Sequence, residues 1–203
     1  LSLRRQRQMC IRDSRLIDRP GTNALIQNAT GMGINAAQQA VYIADVIRGV
    51  LLAVDLRSGA KTLVSVGTLE SQGPAFDVPG GVVIDDDNHR ALVTDAAMGV
   101  LAVDLDSGQR TRLAGGGNGS GITLQQPTAI ALDAVNGRAL VGTGSLDPVI
   151  AFMDLPTLHR TLLTGNGAGS GVAFEGARAI VLDAENHRAL VVDRDSVIIA
   201  VDL

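Results

Sequence analysis

Apolar residues along this chain come in short, β-branched runs, each closed by a cluster of Asn, Asp, Ser or Gly. That punctuation predicts strands joined by tight turns, and no helical period competes with it. One stretch shows the order. Residues 82–84 predict a strand a, and the polar turn Asp85-Asp86-Asp87-Asn88-His89 follows. Residues 90–94 predict strand b, a turn over 95–99 leads to strand c at 100–105, and Asp106-Ser107-Gly108 turns the chain into strand d at 110–113. A glycine-rich connection then reaches the next strand a, over 115–121 here and 165–171 one unit later.

The unit repeats. Arg90-Ala91-Leu92-Val93 returns as Arg138-Ala139-Leu140-Val141 and as Arg188-Ala189-Leu190-Val191, at spacings of 48 and 50 residues. The pair Asp-Leu recurs at Asp55-Leu56, Asp104-Leu105, Asp154-Leu155 and Asp202-Leu203, at spacings of 49, 50 and 48. Two separate markers with one period identify an internal repeat. Each unit is a small antiparallel sheet with two apolar faces, which only neighbouring units can cover. The expectation is an all-β chain: a β-propeller fragment of about four four-stranded blades, forming an open arc of a larger propeller, with closure as a four-bladed ring, residues 15–18 completing the last blade, as the alternative. Strand a is innermost, and Ile84, Ile130 and Ile180 are expected at equivalent positions. The rival architecture, a parallel β-helix, has shorter coils and no need of tight antiparallel turns such as Asp-Ser-Gly.

Run backwards, the repeat sets the boundaries. Pro127 aligns with Ala29 and Leu113 with Leu16, so 15–28 reads as the last strand of a preceding blade and its connection. Blade 1 is then 29–78, blade 2 79–126, blade 3 127–176, and 177–203 a partial blade 4 that stops after strand c. Residues 1–14 match no part of the repeat and read as a non-native tail, like translated adapter sequence at the end of a metagenomic gene fragment.

The pattern from Pro127 through Ile130-Ala131-Leu132-Asp133, then Arg138-Ala139-Leu140-Val141, then residues 150–155, resembles the NHL and YVTN type of β-propeller repeat. The resemblance covers 15–203. It implies the fold strongly and the function weakly, because such propellers serve as binding platforms, lyases, lactonases and surface proteins. It also implies an exported bacterial protein, extracellular or periplasmic. The WD-repeat signature is missing, since there is no Trp. The senescence-marker and gluconolactonase branch places metal-binding Asn or Asp at the start of an inner strand. The matching positions here are Thr30, Gly80, Thr128 and Arg178, none with a carboxylate or amide oxygen. A hard divalent cation needs several converging oxygens, so no metal site and no cofactor is assigned.

Composition narrows the partners. Aromatic residues are only 2% of the 203, so the core must come from Val, Leu, Ile and Ala. Residues 1–15 carry a local +4 and the remainder −8. An acidic body argues against nucleic acid, which calls for clustered Lys and Arg. No apolar run approaches the roughly 20 residues of a membrane-spanning helix. Cys10 is the single cysteine, so no internal disulfide can form.

Asp45, Asp95 and Asp193 share the end of strand b, with Thr143 in the remaining repeat. With Thr30, Thr128 and Arg178 they are the candidates for a ligand face, on the rim that also carries the glycine-rich connections. The plainer reading makes each Asp an acceptor of backbone N–H groups in the b–c turn. Asp85, Asp133 and Asp183, with Asn88, Asn136 and Asn186, are read as a solvated a–b turn. Arg110, Arg160 and Lys61 recur on the outermost strand and are read as edge charges that resist aggregation. The glycines of 115–121 precede a strand rather than a helix, so they are flexible connections and no phosphate cradle. His159 reads as an isolated surface residue. No Ser-His-Asp set can be assigned from spacing. A noncatalytic binding or scaffolding module is the first expectation, its partner a protein or small molecule on the propeller face. The alternative is part of a lactonase-type or lyase-type enzyme whose catalytic residues lie mainly in other blades.

Overall fold

A computed structural model describes residues 25–144, 146–165, 167 and 171–203. The expectations for residues 1–14 and for the strand over 15–18 lie outside these. The described chain forms four sheets in sequence order, antiparallel but for one short parallel pair at the edge of the third. Blade 1 holds β1 (Ala29–Asn35), β2 (Ala40–Asp45), β3 (Val50–Asp55) and β4 (Lys61–Val66). Blade 2 holds β5 (Pro79–Asp85), β6 (Arg90–Asp95), β7 (Gly99–Asp104) and β8 (Arg110–Ala114). A two-residue strand, β9 (Ser120–Gly121), precedes blade 3. Blade 3 holds β10 (Pro127–Asp133), β11 (Arg138–Thr143), β12 (Val149–Asp154) and β13 (His159–Gly165). Blade 4 holds β14 (Ala177–Asp183), β15 (Arg188–Asp193) and β16 (Ile198–Asp202).

Within a blade each strand pairs with the next, and the register repeats. The row Gly33, Tyr42, Ala53, Thr62 of blade 1 returns as Val83, Leu92, Ala102, Thr111 and as Ala131, Leu140, Phe152, Thr161. Between blades, β1 packs on β5, β5 on β10 and β10 on β14, while β14 and β1 share no comparable packing. The first strand of each blade is therefore innermost, as the repeat implies.

Central strands are buried on both faces. Leu92 and Val93 are successive residues of β6 pointing to opposite sides, and neither is exposed. Leu92 joins Val100, Ala102 and Ile130 in the layer between blades 2 and 3. Val93 joins Tyr42, Leu51, Leu101 and Val82 in the layer between blades 1 and 2. A third layer, with Leu140, Ile150 and Ile180, joins blades 3 and 4. Each fully buried Leu or Val contributes about 1.5–3 kcal/mol, which is how a core this poor in aromatics holds together. Near the axis the inner strands approach so closely that size matters: a Cβ on Gly31 would lie 2.2 Å from the Gly80 carbonyl oxygen.

Three expectations need correction. Val82, rather than Ile84, stands level with Ile130 and Ile180, because β5, β10 and β14 all run seven residues to their closing Asp. Ile84 sits two residues further along the same face, level with Leu132 and Leu182. The glycine-rich connection is also more ordered than loose linkage implies. Its residues Ser120 and Gly121 pair in parallel with His159 and Arg160, adding a fifth strand to blade 3. Gly121 has φ +86, and a Cβ there would meet the Arg160 carbonyl oxygen at 2.0 Å, so glycine is required.

The third correction concerns the arginines of strand d. Arg110 is 3% exposed and Arg160 8%. Neither is a solvated edge charge, and neither has a carboxylate partner among the described residues. The Arg110 guanidinium donates to the carbonyl oxygens of Pro74 (2.5 Å), Val66 (2.9 Å), Leu69 (2.9 Å) and Gly73 (3.1 Å) and to Ser65 Oγ (2.6 Å). Those acceptors lie on strand d of blade 1 and on the connection that leaves it. Arg160 repeats the device one blade on, donating to Ile122 O (2.6 Å) and Asn118 O (2.9 Å). Each arginine thus gathers the carbonyls of the incoming connection into a cup, and burial holds its pKa below the ordinary value. The planar fork of donors explains why arginine serves here.

Candidate functional site

The rim carrying the starts of the inner strands and the b–c turns contains all six candidates. Asp45 and Asp95 are fully buried, and Asp193 nearly so. Asp95 accepts four backbone N–H groups. Ala97 and Met98 of the b–c turn bind Oδ1 at 3.0 and 2.9 Å. Asp77 and Val78, just before the inner strand, bind Oδ2 at 2.8 and 3.1 Å. Asp45 repeats this with Arg48 on one oxygen at 2.9 Å, and with Gln27 and Asn28 on the other at 2.5 and 2.7 Å. Asp193 accepts from Glu175 N at 3.1 Å. These carboxylates clasp the connection entering a blade to the turn inside it. The turn donors were legible from the sequence, whereas those 17 and 18 residues upstream were not. Burial pushes the Asp45 carboxyl up, but the backbone donors outweigh it and hold the group below its ordinary value. In blade 3 Thr143 takes the same place, accepting from Val149 N at 2.8 Å and donating to Asp147 O at 2.6 Å.

Thr30 and Thr128 join blades. Thr30 Oγ1 donates to Pro79 O at 2.7 Å, and Thr128 Oγ1 to Ala177 O at 2.6 Å, each reaching the first residue of the next inner strand. Arg178 holds the equivalent position in blade 4 and is exposed. It shares a cleft of about 290 Å³ with Gln126, Thr128, Gly144, Gly176 and Arg194, at the junction of blades 3 and 4. The structure therefore brings Thr128 and Arg178 together, with Asp193 adjoining Arg194. Thr30, Asp45 and Asp95 belong to other blades. Arg194 was not singled out by sequence. Among the described residues neither the Arg178 nor the Arg194 guanidinium has a hydrogen-bond or ion-pair partner. Two unpaired guanidinium groups on one small cleft make it suited to an anionic group.

The opposite rim is built from a second clasp. Asn88, Asn136 and Asn186 are exposed, as a solvated turn requires, whereas Asp85 and Asp133 are buried and Asp183 partly so, which corrects the expectation for the aspartates. One Asp oxygen accepts from Arg Nε five residues on, at 2.7–2.8 Å in Asp85–Arg90, Asp133–Arg138 and Asp183–Arg188. The Asn three residues on donates its side-chain amide to the same carboxylate. The turn between them is a single turn of 3₁₀ helix closed by a left-handed residue, His89, Gly137 or His187. His89 faces Asp106 at 3.2 Å and His159 faces Ser120 Oγ at 2.8 Å, both exposed. Among the described residues no three His, Cys, Asp or Glu side chains converge as a metal set.

Against solved structures the chain superposes on the crystal structure of a nidogen/laminin complex with a TM-score of 0.67, at 18% identity over 81% of its length. It superposes on a protein of unknown function from Bacteroides thetaiotaomicron with a TM-score of 0.68, at 11% identity over 85%. The chain is a β-propeller repeat protein. At these identities the likeness is one of fold. The propeller spans 56% and 46% of those two chains, about half the length of each. No protein-family model matches it, and no curated protein matches it in sequence.

Proposed function

We propose that this propeller is a noncatalytic binding or scaffolding module whose rim receives an anionic group of its ligand between blades 3 and 4. One observation carries the reading: Arg178 and Arg194 line one cleft with no partner for either guanidinium among the described residues, while Asp193 beside them is occupied by backbone. The rim acids that could have served as catalytic bases are buried in backbone clasps. An exported bacterial setting is what the NHL and YVTN resemblance implies.

Titration calorimetry with citrate and with an Asp-rich decapeptide tests it. Saturable binding of at least one probe is expected, weakened by salt. Arg178→Ala and Arg194→Ala should each weaken it by about tenfold, the worth of one partly exposed charge-assisted hydrogen bond. Citrate binding alone would identify a small-molecule site, and peptide binding alone a protein-docking site. Binding of neither probe, or binding unchanged in both variants, would contradict the proposal. Sustained hydrolysis of a sugar lactone by the chain would overturn its noncatalytic part.

A further inference from the structure

On the rim opposite the ligand-face candidates, a cleft of about 280 Å³ opens between blades 2 and 3. Its two walls differ. Blade 3 supplies an apolar wall of Leu132, Leu155 and Pro156. Leu132 and Leu155 pack on the layer between the two blades but are only partly buried, so they still present surface. Blade 2 supplies a wall with both charges, Asp87 and Arg90. Arg90 gives its Nε to Asp85 at 2.7 Å, and among the described residues its two terminal nitrogens have no acceptor. The Asp87 carboxylate is exposed and, among the described residues, accepts no hydrogen bond. Asp85 itself is already filled by Arg90 and by the side-chain amide of Asn88.

The neighbouring junction shows what is particular to this one. Between blades 3 and 4 the same clasp is capped: the Arg138 guanidinium carbon lies 3.8 Å from the centroid of the Phe152 ring. Phe152 pairs with Leu140 as Ala102 pairs with Leu92, so blade 2 has a methyl group where blade 3 has a ring. Val135 stands where blade 2 has Asp87. The junction of blades 2 and 3 thus combines an uncapped guanidinium with an acid that has no partner among the described residues. An anion alone would be repelled by Asp87, and a cation alone by Arg90. We propose that this cleft binds a free α-amino acid with an aliphatic side chain. The ligand carboxylate accepts from the terminal nitrogens of Arg90 side by side. The ligand ammonium pairs with Asp87, and the aliphatic side chain covers Leu132, Leu155 and Pro156. The volume falls just below the about 300–1,000 Å³ of small-molecule sites, which suits so small a ligand. Neither Arg178 nor Arg194 lines this cleft, so the proposal and the reading of the rim cleft can fail separately.

Titration calorimetry of the full chain with leucine tests it, beside leucinamide, which lacks the carboxylate, and 4-methylpentanoate, which lacks the ammonium. Leucine should bind saturably, and each analogue at least about tenfold more weakly. Asp87→Asn should weaken leucine by about tenfold and leave 4-methylpentanoate no weaker, because it removes an attraction from one and a repulsion from the other. Ala134 also lines the cleft, and Ala134→Trp should abolish binding by filling it. Both positions are exposed, so both variants should keep the urea midpoint of the unaltered chain. Arg178→Ala should leave leucine binding unchanged. Absence of saturable leucine binding would overturn the proposal. So would analogues that bind as well as leucine, leucine binding untouched by Asp87→Asn and Ala134→Trp, or leucine binding lost in Arg178→Ala.

Discussion

Replacing Arg110 by Met should lower the stability of the fold by about 3–4 kcal/mol, among the larger single-site losses a domain shows. The side chain is buried, and its five N–H donors face a cup of carbonyl oxygens and Ser65 Oγ contributed from residues 65–74. Met fills similar volume but leaves those carbonyls without donors, at a cost of about 1–3 kcal/mol for each that water cannot reach. The Phe76 ring, whose centroid lies 5.3 Å from the guanidinium carbon, loses its cation as well. Arg110→Lys should recover little, because an ammonium group offers three donors from a single point. The urea midpoint measures the effect at constant slope. A loss under about 1 kcal/mol would return Arg110 to the solvated edge charge read from sequence.

The rim clasp carries the second large effect. Asp95→Ala removes the acceptor of four backbone N–H groups and should cost about 3 kcal/mol. The related carboxylate Asp45 adds a pH signature. Its pKa in the fold lies below the ordinary 3.8, since its backbone donors outweigh the cost of burial. A carboxyl with a lowered folded pKa contributes stability that is fully present above the unfolded value and is lost as pH falls through the folded one. Stability should therefore be level with respect to this group above about pH 5 and decline toward lower pH. Asp45→Asn should be less stable at neutral pH and flatter on the acid side. An unchanged acid limb in Asp45→Asn would contradict the clasp.

How much could be read in advance followed the range of each interaction. The repeat, the order of strands and most of their limits were visible, because turn residues and β-branched runs act over a few positions. The Asp-Leu marker has a local cause: Asp55, Asp104 and Asp154 each accept from the Ser or Thr three residues on, closing the c–d turn. Arg110 misled because Arg110-Thr111-Arg112 alternates as an exposed outer strand does, and the acceptors that bury it lie 36–45 residues earlier. Asp85, Asn88 and Arg90 were each visible as repeated residues. Their spacing of three and five, shared by blades 2, 3 and 4, was the signal that could have revealed the buried ion pair. Arg194 had no marker at all: it joins Arg178 only because the blade 4 turn folds back beside its own inner strand.

The tandem-blade account is tested most directly by cross-strand proton contacts in isotope-labelled protein. Nuclear Overhauser effects should link Gly33, Tyr42, Ala53 and Thr62 in series, and equally Val83, Leu92, Ala102 and Thr111, and Ala131, Leu140, Phe152 and Thr161. The same row in three successive repeats, with antiparallel neighbours throughout, is the predicted result. Contacts that instead join equivalent strands of successive repeats in parallel register, Leu92 beside Leu140 as ladder partners, would describe a β-helix and contradict the propeller.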